Sequence, residues 1–353
     1  MLINVISWIE ERLPVQSIKT FFIKKNVPRH RHSIWYYFGG MTLLFFVVQI
    51  VTGILLTFYY TPTPEKAHES VMYIVNEVPY GWLIRSLHAW SANLMIGAMF
   101  IHMFSAFLMV AYRKPRELLW VSGALLMFVV LGFGFTGYLL PWDTMAYFAT
   151  LIGTEVPATM PVIGDWGVSL LKGSEEVGAE TLTRMYSIHT VVLPLVSLLL
   201  VSFHLGLNQL YGASVPVGTE TPRKPIPFFP NFLYRDLLSW TLGLGILIAL
   251  ATILPSGLGE KADPLASAPL GIKPEWYFLP LYQSLRMAPA EVFSLSGDFI
   301  VNLLVAIGCS VWLAIPFLDR KASAGRKSLP FMVLGIVLIL YLITTILLAY
   351  VLP

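Results

Sequence analysis

The chain has 353 residues, of which 56% are hydrophobic and 12% charged, and its mean hydropathy is +0.72. Soluble domains carry about 25% charged residues, so this composition excludes an ordinary water-soluble enzyme and indicates a protein that lives in lipid. The single cysteine, Cys309, excludes a disulfide framework, a cysteine-based zinc site and an iron–sulfur cluster held by this chain alone. The net charge of +3 is small and dispersed, which argues against nucleic acid as a partner.

The first element in chain order is an amphipathic segment at residues 1–33, in which apolar and basic residues alternate, so we expect no cleavable signal peptide here. Helical spacing of apolar residues predicts a helix over 2–13, which either lies in the inner membrane interface or packs against the protein. The apolar positions are Leu2, Val5, Ile6, Ile9 and Leu13.

Seven apolar stretches follow, each long enough to cross a bilayer at about 20 residues. Most Lys and Arg residues lie before the first stretch and in alternate loops, which the positive-inside rule assigns to the cytoplasm. The N-terminus is therefore expected in the cytoplasm and the C-terminus outside. The predicted spans are 34–60, 82–112, 118–140, 185–211, 236–254, 299–318 and 330–352.

The fold class predicted from this pattern is an all-α polytopic membrane protein. A cluster of Gly, Pro and basic residues at 212–231 predicts a linker between a four-helix domain at 34–211 and a three-helix domain at 232–353. The outer loops at 141–184 and 255–298 are too long for simple connections and are expected to fold into surface helices that roof the outer face.

Four of the seven histidines lie inside predicted spans, His88 and His102 in the second and His189 and His204 in the fourth. One histidine at membrane depth is either a functional group or a hydrogen-bonded packing residue. The 14-residue step from His88 to His102 returns to nearly the same helix face about 21 Å further on. Because both spans run inward, His88 is level with His189, and His102 with His204. Facing imidazoles suit bis-histidine haem ligation, so we predict a four-helix bundle that holds two stacked haems.

The step from His189 to His204 is 15 residues, which overshoots one helix face by about 60° on an ideal helix. Pro194 lies between the two histidines and can bend or unwind one turn, which absorbs the extra residue.

Two glycine pairs repeat the 14-residue step, Gly39 with Gly53 in the first span and Gly123 with Gly137 in the third. Close helix packing accounts for any one glycine, but two pairs in step with the histidines favour clearance for a flat macrocycle.

The remaining candidates within or beside the spans are polar. Arg85 lies one turn before His88, and its expected partner is a haem propionate, with snorkelling to the outer surface as the alternative. His30, His32 and His68 lie in polar loops and are interpreted as solvated side chains.

These residues resemble a known family, cytochrome b of the quinol-oxidising cytochrome bc complexes, and most closely its b6 type with subunit IV. The first 211 residues look like cytochrome b6, and residues 232–353 look like subunit IV. The 15-residue histidine spacing is also b6-like. The motifs that carry the resemblance are Gly-Tyr-Leu-Leu-Pro-Trp-Asp at 137–143, Thr-Arg-Met-Tyr-Ser-Ile-His at 183–189, Lys-Pro-Arg-Glu-Leu at 114–118 and Pro-Glu-Trp-Tyr at 274–277.

The resemblance implies part of a quinol:cytochrome c, or plastocyanin-like acceptor, oxidoreductase in a bacterial plasma membrane. Quinol would be oxidised at an outer site, one electron would pass from the outer haem to the inner haem, and quinone would be reduced near the cytoplasmic face. The second electron would pass to a Rieske iron–sulfur protein and a c-type cytochrome, in a dimeric complex that contributes to proton translocation.

The resemblance also assigns residues. The outer haem iron falls to His88 and His189 and the inner haem iron to His102 and His204, both haems being b-type. Glu275 becomes the proton acceptor for quinol, a role that suits a carboxylate in a proline-framed loop above the outer haem, with a surface salt bridge as the alternative. The other residues implied to line the quinol pocket are Tyr147, Phe148, Ala149, Pro274, Trp276, Tyr277 and Tyr282.

Two departures from the b6 type concern the inner side. Tyr37 replaces the cysteine that attaches a third haem covalently, and Asn208 and Gln209 replace a basic pair. We therefore expect two non-covalent haems and an inner cavity left for quinone or a loosely held ligand. Tyr37 either fills space or ligates a non-covalent third haem.

Two other functions stay open on sequence grounds. The first is a di-haem membrane anchor of a dehydrogenase, which has four or five helices. The second belongs to a different class, a proton transporter that uses buried histidines as a relay.

Overall fold

The computed structural model describes residues 2–12, 23–161, 164–219 and 223–352. Within these ranges, seven helices are long and apolar enough to cross a membrane, which confirms the predicted all-α polytopic fold. The helices are α1 (Leu2–Arg12), α2 (Tyr37–Thr57), α3 (Ala67–Asn76), α4 (Gly81–Leu108), α5 (Glu117–Tyr138), α6 (Thr144–Glu155), α7 (Gly164–Lys172), α8 (Ala179–Tyr211), α9 (Leu233–Ile253), α10 (Leu279–Arg286), α11 (Gly297–Leu318), α12 (Arg320–Ser323) and α13 (Leu329–Val351).

The spanning helices are α2, α4, α5, α8, α9, α11 and α13. Short 3₁₀ turns precede α2, at Ser33–Tyr36, and follow α6, at Val156–Thr159. A kinked segment, Phe228–Phe232, whose backbone is extended at Phe229, leads into α9. The predicted N-terminal helix corresponds to α1, whereas Leu13 lies outside the described residues.

The first four spanning helices pack in pairs, α2 against α4 and α5 against α8, and α9 packs on both α2 and α4. The C-terminal helices join this bundle at its inner end, where the Trp120 indole of α5 donates a hydrogen bond to the Trp312 carbonyl of α11, at 2.8 Å. Phe107 packs against both indole rings, with ring centroids 5.9 Å from Trp120 and 5.0 Å from Trp312. The two predicted domains therefore share one aromatic core at this end.

Two small β-ribbons supplement the helices. Strand β1 (Asn26–Arg29) pairs antiparallel with β2 (Arg223–Pro227), which joins the N-terminal segment to the predicted linker. Strand β3 (Glu291–Val292) pairs with β4 (Leu295–Ser296) in the second outer loop. The sequence did not predict these ribbons, because segments of two to five residues are too short to carry a period-two signal.

The two long outer loops hold each other in place. Asp143 caps α6 by accepting a hydrogen bond from the Ala146 amide, at 2.9 Å, as is common for Asp at a helix N-cap. Its other carboxylate oxygen accepts from the Gly259 amide, at 3.3 Å, and the Thr144 amide donates to the Glu260 carbonyl, at 2.9 Å. The loops thus form one connected roof over the outer ends of the helices.

Candidate functional site

The four membrane histidines form two facing pairs. The ring centroids of His88 and His189 are 6.3 Å apart, and those of His102 and His204 are 6.5 Å apart. Two imidazoles that bind one metal from opposite sides, at about 2.0 Å per metal–nitrogen bond, have centroids about 6 Å apart. The described residues contain no group of three or more His, Cys, Asp and Glu placed to hold a metal. Each pair thus offers two imidazole ligands, and a planar cofactor that supplies the remaining ligands would complete a metal site there.

Each glycine of the two repeated pairs lies against one of these imidazoles. A Cβ atom at Gly137 would lie 2.6 Å from His189 Cε1, and one at Gly53 would lie 3.3 Å from Cε1 of the opposite outer histidine. At the inner level, Cβ atoms at Gly39 and Gly123 would each lie 3.1 Å from the Cε1 of an imidazole. The glycines therefore leave room for the imidazole rings themselves, a more direct reason than the clearance for a macrocycle that their spacing predicted.

Three of the imidazoles are oriented by a hydroxyl group at Nδ1. The partners are Thr52 for His88 at 2.9 Å, Thr136 for His189 at 3.2 Å and Ser122 for His204 at 3.0 Å.

Each of these hydroxyls donates its own proton to a helix carbonyl. Nδ1 must then supply the proton of the bond to the hydroxyl, which leaves the Nε2 lone pair free for a metal. Sequence reasoning missed the three hydroxyls, although a signal was present, because each immediately precedes a glycine of the repeated pairs.

The extra residue between His189 and His204 is absorbed in a π-helical turn, Ile188–Val192, that contains His189. The Leu193 amide donates to the Ile188 carbonyl five residues back. One turn with an extra residue converts the 15-residue step into the equivalent of 14. The unwound turn lies immediately before Pro194, which agrees with the predicted means of accommodation.

Arg85 binds the outer loop that follows α9. Its Nη1 donates to the Ser256 carbonyl at 2.6 Å and its Nη2 to the Gly257 carbonyl at 2.8 Å. Because a guanidinium has five N–H donors, these two bonds leave the predicted contact with a haem propionate open.

The interpretation of the loop histidines as solvated is wrong for two of them. His30 is only 5% exposed and lies 2.5 Å from the Tyr36 hydroxyl, and His68 is 7% exposed, with Nε2 2.8 Å from the Gly259 carbonyl. His30 is enclosed by Ser33 and Tyr36 of the turn that follows it, and His68 contacts a segment distant in sequence, which a loop context does not reveal. His32 is partly buried and accepts a hydrogen bond from Arg31 at 2.7 Å.

An apolar cavity of about 160 Å³ lies under the outer roof. For scale, a cavity of about 150 Å³ holds one benzene ring. Four residues of the predicted quinol pocket line it, namely Ala149, Pro274, Glu275 and Tyr282. The lining residues that sequence reasoning missed are Phe135, Tyr138, Thr150, Ile152, Gly153, Val156, Ile272, Phe278, Leu281 and Leu285.

Glu275 is the carboxylate of this cavity. It is partly buried, and in the described part of the chain its carboxylate has no hydrogen bond or ion pair, which argues against the salt-bridge alternative. Burial raises the pKa of the Glu275 carboxyl above its ordinary value of 4.5. The Tyr282 hydroxyl donates instead to the Ile272 carbonyl, at 2.7 Å, and thereby closes one wall.

Four other residues predicted to line the pocket lie outside the cavity lining. Tyr147 and Phe148 are buried in the roof, with ring centroids 5.2 Å apart. Trp276 donates to the Asn93 side chain of α4, and Tyr277 packs over Gly134 of α5. They miss the cavity although their neighbours line it, because adjacent residues of a helix or a turn point in different directions.

The predicted inner-side residues lie at helix ends. The Tyr37 ring stacks on Phe232, with centroids 5.2 Å apart, and the Gln209 amide accepts a hydrogen bond from Lys25. Asn208 is partly buried in the last turn of α8. Sequence reasoning missed Asp236 of α9.

Asp236 presents a carboxylate to the inner half of the bundle. A Cβ at Gly40 would lie 2.7 Å from Asp236 Oδ1, which is buried without a hydrogen-bond partner. Gly40 directly follows Gly39, the glycine that faces His102. The Asp236 carboxylate therefore lies against α2 one residue after the glycine that faces His102, and sequence analysis left it unassigned.

Comparison with known proteins agrees with the resemblance. A family profile described as cytochrome b/b6/petB matches residues 22–211, and one described as cytochrome b(C-terminal)/b6/petD matches residues 261–352. The chain is 50% identical, over 96% of its length and 79% of the relative, to a cytochrome bc complex cytochrome b subunit from Chlorobaculum thiosulfatiphilum. It is 47% identical, over 61% of its length and 96% of the relative, to cytochrome b6 from a Synechocystis species.

Among solved structures, the chain is similar to one described as hyperthermophilic respiratory Complex III. The TM-score is 0.87 at 31% identity, over 99% of this chain and 92% of the other. The chain therefore belongs to the cytochrome b/b6 family and carries the b6-like part and the subunit IV-like part in one polypeptide. It is the cytochrome b subunit of a bc-type complex, a multi-pass membrane component of an oxidoreductase, and it has partner subunits in that complex.

Proposed function

We propose that this chain oxidises quinol at the outer cavity and supports quinone reduction at the inner side through two b-type haems. The observation that carries the proposal is the pair of facing imidazoles at each of two levels, each pair spaced for one metal. A histidine relay for protons does not require imidazoles that face each other across a gap of this size. A dehydrogenase anchor lacks the C-terminal helices that close the quinol cavity.

His88 and His189 would hold the outer haem and His102 and His204 the inner one, both without covalent attachment. When bound, a haem with two imidazole ligands supplies a one-electron iron centre with no open position for oxygen. The hydroxyls at Nδ1 keep the tautomer that presents Nε2. The glycines against the rings let four side chains converge without distorting the helices.

Oxidation of a quinol to a quinone releases two electrons and two protons. Glu275, the ionisable carboxylate of the outer cavity, would take a proton from a quinol hydroxyl and release it outward. Its raised pKa makes it a stronger base than an ordinary carboxylate. At the inner side, Asp236 would supply a proton to quinone, because its Oδ1 has no hydrogen-bond partner among the described residues and lies against Gly40, which follows the glycine that faces His102.

The proposed setting is a dimeric complex in a bacterial plasma membrane, with the N-terminus of this chain in the cytoplasm and the C-terminus outside. The second electron of quinol requires a different acceptor, and a Rieske iron–sulfur protein followed by a c-type cytochrome supplies that chemistry in a bc-type complex. A chain with one cysteine cannot hold such a cluster alone.

A third, covalent haem is not expected, because Tyr37 offers a phenol and Cys309 lies in α11, outside the bundle that carries the histidines. Haem staining after denaturing electrophoresis tests this expectation. We expect no stained band at 39.5 kDa and a ratio of two haems per chain. A stained band or three haems per chain would contradict it.

The function is tested with the purified complex and a short-chain quinol. We expect the quinol to produce reduced b-type absorption bands, and Glu275→Gln to slow their appearance while dithionite still reduces both haems. Absence of haem bands would favour the proton transporter. Reduction of the haems by quinol that is independent of Glu275 would favour the dehydrogenase anchor.

A further inference from the structure

The loop that carries Glu275 is tied to α4 at both of its ends. At the start of the loop, the Trp90 indole donates to the Leu254 carbonyl at 2.7 Å, and the Ser86 hydroxyl accepts from the Ser256 amide at 2.9 Å. These bonds add to those of Arg85 and hold the chain as it leaves α9. They lie some twenty residues before Glu275.

The other end is tied by a single side-chain bond. The Trp276 indole donates to Asn93 Oδ1 at 2.7 Å. The Asn93 amide group donates in turn to the Ala89 carbonyl of its own helix, at 3.0 Å, so both ends of this amide are used. The bond to the helix fixes the side chain with its oxygen toward the indole.

Asn93 is an unusual choice for its position. It lies on α4 between His88 and His102, about 7.5 Å along the axis from the first, in a helix whose neighbouring side chains are apolar. A polar amide at membrane depth is costly without a partner, and a leucine would fill the same space. Its Oδ1 has one hydrogen-bond donor within the described residues, the indole next to Glu275.

The Trp276 ring leaves little freedom to the residue before it. The ring packs edge-on against Phe100 of α4, with centroids 6.2 Å apart, and against Tyr277, at 5.5 Å. Tyr277 in turn lies where a Cβ at Gly134 would come within 2.6 Å of its hydroxyl oxygen. With the following two residues seated on α4 and α5, Glu275 is left on the cavity side of the turn.

We propose that Asn93 is a positioning residue for quinol oxidation, which acts by fixing the Trp276 indole and thereby the Glu275 carboxylate in the outer cavity. This inference rests on the proposed role of Glu275. It connects the helix that carries two of the histidines directly to the proton acceptor, so that the carboxylate keeps a constant place relative to the histidine level below it.

The test compares Asn93→Leu and Trp276→Phe with a matched control, Trp90→Phe, in the purified complex. The control removes an indole hydrogen bond of the same length from the same helix to the start of the same loop. A neutral hydrogen bond corresponds to about a three- to tenfold change in rate. We expect both test variants to lower kcat by about that factor and to change how the rate of quinol oxidation falls at low pH, with haem spectra intact. Trp90→Phe should keep the parent rate and its pH dependence.

The decisive arm repeats Asn93→Leu in a Glu275→Gln background. If Asn93 acts through Glu275, the added loss there is less than about twofold. An equal loss in both backgrounds, or a parent-like pH profile of Asn93→Leu, would overturn the inference. If Asn93→Leu fails to assemble haem, Trp276→Phe is judged by the same criteria. If Glu275→Gln itself retains parent kinetics, the proposed proton acceptor fails, and this inference fails with it.

Discussion

The two histidine levels share one geometry and differ in their surroundings. At the outer level both imidazoles are bound by threonine hydroxyls, and His189 lies in a π-helical turn. At the inner level only His204 is bound in this way, and the His102 ring has no hydrogen bond to any described side chain. The outer level is roofed by two interlocked loops, whereas the inner level faces helix ends and the Asp236 carboxylate.

This difference shows that the histidines and the groups around them depend on different features of the sequence. The positions of the imidazoles follow from helix periodicity, which is the same at both depths. The groups that handle substrate come from loops and helix ends, where each level has its own chemistry. The outer level is therefore the more constrained of the two, and changes there are expected to have larger effects.

The largest expected effect comes from changing the histidine step. Deletion of Gly97, on the α4 segment between His88 and His102, shortens a regular helix and rotates one histidine by about 100° relative to the other, so one haem should be lost. Deletion of Val191, inside the π turn, should instead leave an ordinary helix with a 14-residue step and retain both haems. Haem content and the visible spectrum of the two purified variants measure the difference. Equal haem loss in both would contradict the role given to the π turn.

A smaller effect is expected from adding one methyl group beside an imidazole. In Gly137→Ala the new Cβ would lie 2.6 Å from His189 Cε1, closer than the 3.1 Å for Gly123→Ala at the inner level. The outer haem should therefore show the greater loss or spectral shift. Gly97→Ala, whose Cβ would meet no other atom within 4 Å, is the control and should leave both haems unchanged. A larger disturbance of the inner haem would reverse the comparison.

The change that disturbs the haems least is at Glu275, which is expected to affect proton transfer alone. As a proton acceptor, Glu275 must be ionised, and burial raises its pKa above 4.5. The parent rate of quinol oxidation should thus fall as the pH drops through this raised pKa and recover above it. Glu275→Gln should slow turnover by about 100-fold or more and remove that pH-dependent limb. Steady-state rates from pH 5 to 8, with dithionite-reduced spectra as a check on the haems, test this expectation. An unchanged profile would return Glu275 to a structural role.

Much of the fold was predictable, because each span carries its own hydropathy signal and the four membrane histidines fall into register by simple rotation along a helix. Pro194 and the extra residue predicted where the helix would be unwound, but only the structure shows that the unwound turn is a π turn. The hydroxyls at Nδ1 were within reach, since each precedes a glycine of the repeated pairs.

The lining of the outer cavity was less predictable. Only four of its lining residues were identified, because Trp276 and Tyr277 were grouped with Glu275 by sequence proximity, whereas a turn sends neighbours to different faces. Phe135 and Thr150 come from elements far from that motif in sequence, and only packing brings them to the same cavity. His68 was misjudged for a related reason, as a long-range contact with Gly259 helps to bury it, whereas His30 is enclosed by the turn that follows it.

The central claim, two haems held by histidine pairs at two depths, is tested most directly by a redox titration of the visible spectrum of the purified complex. Two b-type components are expected, with the outer one at the lower potential. An electron that moves inward works against the membrane potential, which costs about 2.3 kcal/mol per charge for each 100 mV, and a higher potential of the inner haem offsets this cost. In His102→Leu the higher-potential component should disappear while the lower one remains reducible by quinol. A single component in the parent, or loss of the lower-potential component in His102→Leu, would contradict the account.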